Sequence, residues 1–143
     1  MTIEVRKDSA AGTAVVTVTT SIDRLDNLLA ALSLTEETIA GKNGGETSFV
    51  PLSSVDYFES VDDRLFFYTE HETYECPARL KQIEEKLGAL PFARVSKTVI
   101  VNLERLRSIR SEKNSRLIAA FLSGEQVIVN RQYVKSIRQK LGV

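Results

Sequence analysis

Arg94, Ser96, Lys97, Thr98 and Asn102 fall within one nine-residue stretch, Arg94-Val95-Ser96-Lys97-Thr98-Val99-Ile100-Val101-Asn102. A second cluster, Asn130-Arg131-Gln132, stands where a helix is expected to open, and Lys135, Arg138 and Lys140 follow it. Hydroxyls, amides and cations of these kinds donate hydrogen bonds to phosphate oxygens. Lys97, and either Arg131 or Gln132, are also long enough to reach base edges. At a helix start the free backbone N–H groups and the positive dipole end favour a phosphate. The residue types therefore point to the gripping of a polyanion.

The charge distribution agrees. The 143 residues carry 19 Lys/Arg and 19 Asp/Glu, so the net charge is zero. Residues 1–90 hold 8 Lys/Arg against 16 Asp/Glu, whereas residues 91–143 hold 11 against 3. Such asymmetry is expected of a chain whose basic part meets a polyanion. The plainer alternative is a folded body whose acidic and basic parts attract each other. If about six cations neutralise phosphates, log K falls with log salt with a slope of roughly −5.

Other chemistries find little support. His71 stands between Glu70 and Glu72 with no second histidine in the chain, and Cys76 is the single cysteine. An intrachain disulfide and a cysteine-type zinc site are thereby excluded, and no base stands ready to activate a nucleophile. Asp62-Asp63 lacks further metal ligands, and Gly44-Gly45 lacks the spacing and lysine of a phosphate loop. No apolar run approaches a membrane span, and residues 1–7 do not resemble a signal peptide. The expectation is a cytoplasmic, non-enzymatic protein with no cofactor, no metal and no small-molecule substrate.

These residues must be positioned by short strands. Thr2–Arg6 and Thr13–Thr20 are strand-like, and Ser21 opens an amphipathic helix carrying Ile22, Leu25, Leu28, Leu29 and Leu32. Ala40–Thr47, with three glycines, reads as a loop and as the boundary between an extension over residues 1–46 and a domain over 47–143. Beyond it Phe49–Leu52, Val55–Ser60, Leu65–Thr69 and Thr73–Cys76 read as strands. Pro77 suits the first turn of a helix carrying Leu80, Ile83 and Leu87, stopped at Gly88. Phe92–Asn102, Leu106–Arg110, Arg116–Leu122 and Gln126–Val129 are further strand-like segments, with turns at Glu112–Ser115 and Ser123–Glu125. Asn130 is placed to cap a last helix carrying Val134, Ile137 and Leu141. The fold class is mainly β with short helices (α+β).

Phe92-Ala93-Arg94-Val95-Ser96-Lys97-Thr98-Val99-Ile100-Val101-Asn102 resembles the core pattern of the LytTR family of bacterial DNA-binding domains. Gly124-Glu125-Gln126-Val127-Ile128-Val129-Asn130-Arg131-Gln132-Tyr133-Val134 is similar to the family's second pattern. The stretch from Val55 to Tyr68, with Tyr74 and Leu80, is similar to its upstream strand and hairpin. Together the matches cover residues 47–143, about two thirds of the chain. Ser96 stands where histidine is common in the family, and Asn130 where serine is usual.

The resemblance implies an elongated stack of small antiparallel sheets that presents loops to successive major grooves of double-stranded DNA. Carried over by motif, the contacts are Asp63, Arg64, Arg94, Ser96, Lys97, Thr98, Asn130, Arg131, Gln132 and Lys135. Arg94, Ser96, Thr98, Asn130 and Lys135 are expected on phosphates; Asp63, Lys97 and either Arg131 or Gln132 are the expected base readers. With about 46 residues ahead of the domain, too few for a phosphoreceiver domain, the chain resembles the family's stand-alone regulators. Those are often encoded beside a small membrane protein, which is one expected partner; a homodimer on paired sites is another. The extension would then serve dimerisation, or regulation by contact with the domain. The alternative function is a protein-interaction module whose basic C-terminal third binds an acidic partner.

Overall fold

The computed structural model describes residues 2–8, 13–19, 37–87 and 91–143. The chain divides into two units, Met1–Glu37 and Thr38–Val143. In the first, β1 (Thr2–Asp8) pairs antiparallel with β2 (Thr13–Thr19), in register from Thr2↔Thr19 to Asp8↔Thr13. The helix expected from Ser21 lies outside the described residues, as does the stop at Gly88.

The second unit holds a seven-stranded sheet in the order β4-β3-β7-β6-β5-β9-β8 and a three-stranded sheet in the order β10-β11-β12. Its strands are β3 (Thr38–Asn43), β4 (Glu46–Pro51), β5 (Tyr57–Val61), β6 (Arg64–Tyr68), β7 (Thr73–Cys76), β8 (Phe92–Arg94), β9 (Val99–Asn102), β10 (Leu106–Ser111), β11 (Leu117–Phe121) and β12 (Gln126–Val129). Its helices are α1 (Leu80–Leu87) and α2 (Arg131–Leu141). Every neighbouring pair of strands is antiparallel.

Side chains on successive strand residues point to opposite faces, and the central strands use both. On β5, Phe58 joins one apolar cluster and Tyr57 the other; on β9, Ile100 joins the first and Val99 and Val101 the second. The first face is covered by Leu80 and Ile83 of α1, the second by Leu117, Ala119, Phe121 and Val129 of the small sheet and Ile137 of α2. All four residues of β9 are buried as a result, which explains the unbroken apolar run Val99-Ile100-Val101. Burying one such side chain contributes about 1.5–3 kcal/mol. Tyr57 stacks on Tyr68 and Phe121, with ring centroids 4.4 and 5.4 Å apart, and so bridges the two sheets.

Four local expectations are corrected. Ala40–Thr47 is not a linker: Thr38–Asn43 and Glu46–Pro51 pair as a hairpin whose turn is Gly44-Gly45. Both turn glycines have positive φ, as a two-residue hairpin of this hand requires. Gly41 lies inside β3 for a different reason: a Cβ there would meet the Phe67 ring at 2.4 Å and Tyr74 Cβ at 2.6 Å. The second compact unit begins at Thr38. Phe92–Asn102 is two strands separated by a loop at residues 95–98. Helix α1 starts at Leu80, past Pro77, and the Arg79 N–H just ahead of it is held by Gln82 Oε1 at 2.8 Å, one half of a capping box. Asn130 precedes α2 in extended backbone, but its side chain makes no capping bond.

Gly41→Ala is expected to destabilise the fold by about 1–3 kcal/mol through overpacking against Phe67 and Tyr74. Urea unfolding with an unchanged m-value checks it, and an alanine variant as stable as the parent would contradict the close approach.

Candidate nucleic-acid interface

Three segments converge at one end of the second unit. The loop at residues 95–98 is closed by Val95 N–H donating to the Val99 carbonyl at 3.0 Å. Asn130 N–H donates to the Val95 carbonyl at 2.9 Å, tying the start of α2 to that loop. The register Leu117↔Val129 sets Arg116 opposite Asn130, and brings the turn at Lys113–Ser115 alongside. Lys97, Asn114, Arg116, Asn130, Arg131 and Gln132 line the resulting open, polar hollow. Asn114 and Ser115 both have positive φ, so this turn presents its backbone in an uncommon left-handed form.

Within the loop, Thr98 N–H donates to Ser96 Oγ at 3.2 Å, and the Thr98 carbonyl accepts from Ser60 N–H at 2.9 Å. Ser60 lies two residues ahead of the β5–β6 turn, Asp62-Asp63, so that turn projects beyond the same sheet end. Both aspartates have positive φ, at 50° and 62°. Aspartate tolerates this conformation better than most residues, which gives the pair a turn-forming role whatever else it contacts.

The cations differ sharply in their surroundings. Arg64 is bidentate to Glu75 on β7, with contacts of 2.9 and 2.7 Å, and its guanidinium lies 5.3 Å from the centroid of the Phe66 ring. The Arg64 guanidinium in turn holds the Glu75 carboxyl below the usual glutamate range by hydrogen bond and charge. Arg94 donates Nε to the Glu84 carboxylate of α1, and Nη1 to the carbonyls of Ser96 and Lys97 at 3.3 and 2.7 Å. Lys97, Arg131, Gln132 and Lys135 are exposed, and no described ion pair involves Lys97, Arg131 or Lys135. Arg116 stands 3.8 Å from Glu112, and its buried Nε has no acceptor among the described residues.

The hollow thus unites Lys97, Asn130, Arg131 and Gln132 from the sequence reading; Lys135 lies one turn further along α2. Asp63 and Arg64 belong to a separate hairpin turn, and Arg94 faces inward to the loop backbone. Asn114 and Arg116 escaped the sequence reading, although the turn at Ser123–Glu125 already implied a hairpin that folds residue 116 back towards residue 130. Among the described residues no group of three metal-ligating side chains occurs, and no helix is long and apolar enough to cross a membrane.

A β-rich unit that gathers loop cations at one sheet end, with a helix N-terminus beside them, has the makings of a nucleic-acid-binding domain. The family model of the LytTr DNA-binding domain matches residues 45–142, and the chain belongs to that family. A solved LytTr DNA-binding domain from Bacillus cereus superposes with a TM-score of 0.71 at 26% identity, covering 76% of this chain and 99% of that one. The sensory transduction protein LytT of Enterococcus faecalis is 32% identical over 88 residues, 61% of this chain and 36% of that protein. The transcriptional regulatory protein YpdB of Escherichia coli is 30% identical over 90 residues, 62% of this chain and 37% of that protein. The chain thus matches little more than a third of the length of these curated relatives.

The Arg64–Glu75 pair has a direct spectroscopic consequence. The Glu75 carboxyl should titrate below an ordinary glutamate, and Arg64→Ala should return it to the ordinary range, as followed by carboxyl-carbon NMR. A Glu75 titration unmoved by Arg64→Ala would show the pair to be absent in solution.

Proposed function

We propose that the chain is a sequence-specific regulator of transcription that binds double-stranded DNA through the hollow at residues 97, 114, 116 and 130–132. The carrying observation is the convergence there of Lys97 and Arg131, exposed and in no described ion pair, with Arg116, in a chain that belongs to a DNA-binding domain family. Regulators of transcription and sensory transduction among its relatives support the same reading.

In this reading Lys97, projecting from the short loop, and Arg131 or Gln132, in the first turn of α2, read base edges in the major groove. Ser96, Thr98, Asn130 and Lys135 position the backbone phosphates, with the unfilled N–H groups at the start of α2 assisting. Asn130 serves this better uncapped, since its side chain is not spent on its own helix. Asp63 lies at the neighbouring turn and contacts the adjoining groove. Two chains on paired sites complete the reading, in a cytoplasmic regulator.

Because Arg64 and Arg94 are hydrogen-bonded to carboxylates, whereas Arg116 only approaches Glu112 at 3.8 Å, the count of phosphate-neutralising cations falls to about four per chain (Lys97, Arg116, Arg131, Lys135). The log–log salt slope is then expected near −4 per chain. Mobility shifts on duplexes selected by the protein from a randomised library measure it. A slope near zero, or failure to select any duplex, would refute the reading. Lys97→Ala is expected to cost about 1–3 kcal/mol on the selected duplex and to relax preference at one base position. An alanine variant with the parent's full selectivity would remove Lys97 from the readers.

A further inference from the structure

Arg94 ends β8 with its side chain only 22% exposed, and all three of its hydrogen bonds stay within the chain. One end of the guanidinium meets Glu84 on α1; the other forks between the carbonyls of Ser96 and Lys97. Apart from these bonds the loop is held at its margins, by Val95 to Val99, Asn130 to the Val95 carbonyl, Ser60 to Thr98 and Thr98 to Ser96 Oγ. The Lys97 peptide has one other described anchor, Thr98 N–H to Ser96 Oγ, and its carbonyl accepts from Arg94 alone among the described residues. Fixing its carbonyl fixes the plane from which the Lys97 side chain departs.

We infer that Glu84 and Arg94 form a brace that aims Lys97, so that both are positioning residues for base selection and neither is a DNA contact. The inference rests on the reading of the loop as a DNA contact. It assigns Arg94 a role other than the phosphate grip expected from its motif. A planar guanidinium whose Nε is held by a carboxylate directs its remaining donors along fixed lines, which an ammonium cannot do. The pair is also close to electrically neutral, so it adds nothing to the attraction of DNA. Glu84, with its carboxylate side chain 49% exposed, even opposes that attraction at long range.

This opposition gives the test its sign. By charge alone, removing Glu84 should strengthen DNA binding; by the brace, it should weaken selection. The full chain and its variants are titrated with a duplex selected by the parent and with a scrambled duplex, over a range of salt. Glu84→Ala is expected to lower discrimination between the two duplexes about tenfold, with the salt slope unchanged. Arg94→Lys should do the same, while Glu84→Gln, which keeps an acceptor, should retain most of the discrimination. Glu85→Ala, a neighbouring exposed acid on the same helix, controls for charge and should bind no more weakly than the parent.

Tighter binding by Glu84→Ala, matching Glu85→Ala, would overturn the brace. So would a salt slope reduced by about one in Arg94→Ala, the signature of a lost phosphate contact. Should Arg94→Ala fold poorly, Glu84→Ala still decides the matter, because alanine suits an exposed helix position. A parent chain that selects no duplex defeats the DNA reading, and the brace's purpose with it. A parent that selects a duplex while Glu84→Ala keeps full discrimination defeats the brace alone.

Discussion

The domain is organised around a buried polar joint where the large sheet hands the chain to the small one. Asn102, 1% exposed, donates Nδ2 to the Val55 carbonyl at 3.0 Å and accepts from Glu104 N–H at 3.1 Å. Its own N–H donates to the Asp56 carbonyl at 2.8 Å, and Asp56 N–H donates to the Tyr68 carbonyl at 2.7 Å. The Asp56 carboxylate, also 1% exposed as a residue, takes Arg105 Nε at 3.0 Å. A carboxylate stripped of water costs several kcal/mol unless it is paired, so Arg105 is confined to one place at the start of β10. Its carbonyl then receives Leu122 N–H at 3.0 Å, locking in the far end of β11. Strand β9 leads into this joint and the small sheet leads out of it. The loop before β9 and the helix after β12 therefore meet again at Val95 and Asn130 with little freedom left.

Apolar packing reinforces the same geometry. Because β9 is covered on both faces, it cannot slide by one residue without moving Ile100 from one cluster to the other. Register and burial together make the loop at residues 95–98 a short, fixed link. The loop keeps Lys97 and Thr98 exposed while its backbone is held, and a held backbone lowers the ordering cost of meeting any partner.

The strands were largely legible in the sequence wherever an apolar pattern met a clear turn. Thr73–Cys76 and Gln126–Val129 coincide with their expected bounds. Glycine density misled at Ala40–Thr47, since a hairpin turn and a close ring contact demand glycine as much as a linker does. In the candidate site the residue types were legible but their partners were not. Arg64 and Arg94 look like Lys97 and Arg131 along the chain. Their difference arises because Glu75 and Glu84 come from elements eleven and ten residues away. Arg116 was hidden for the opposite reason: as a lone cation behind a turn, it joins the cluster only through the β11–β12 register.

The two readings of the charge asymmetry are consequently both partly right, for different residues. Mutual attraction between the acidic and basic parts describes Arg94 with Glu84, and Arg105 with Asp56 and, at 3.9 Å, Glu70. Those pairs build the joint and hold the loop, and they withdraw two of the eleven basic residues of the last third from any partner. What remains is not a uniform basic surface. It is a few cations, Lys97, Arg131 and Lys135 foremost, projecting from backbone that the paired ones have fixed. A polyanion would meet this remainder, and a charge count over the whole segment overstates its strength while missing its arrangement. The acidic two thirds of the chain thus shape the basic surface by deciding which of its cations are left free.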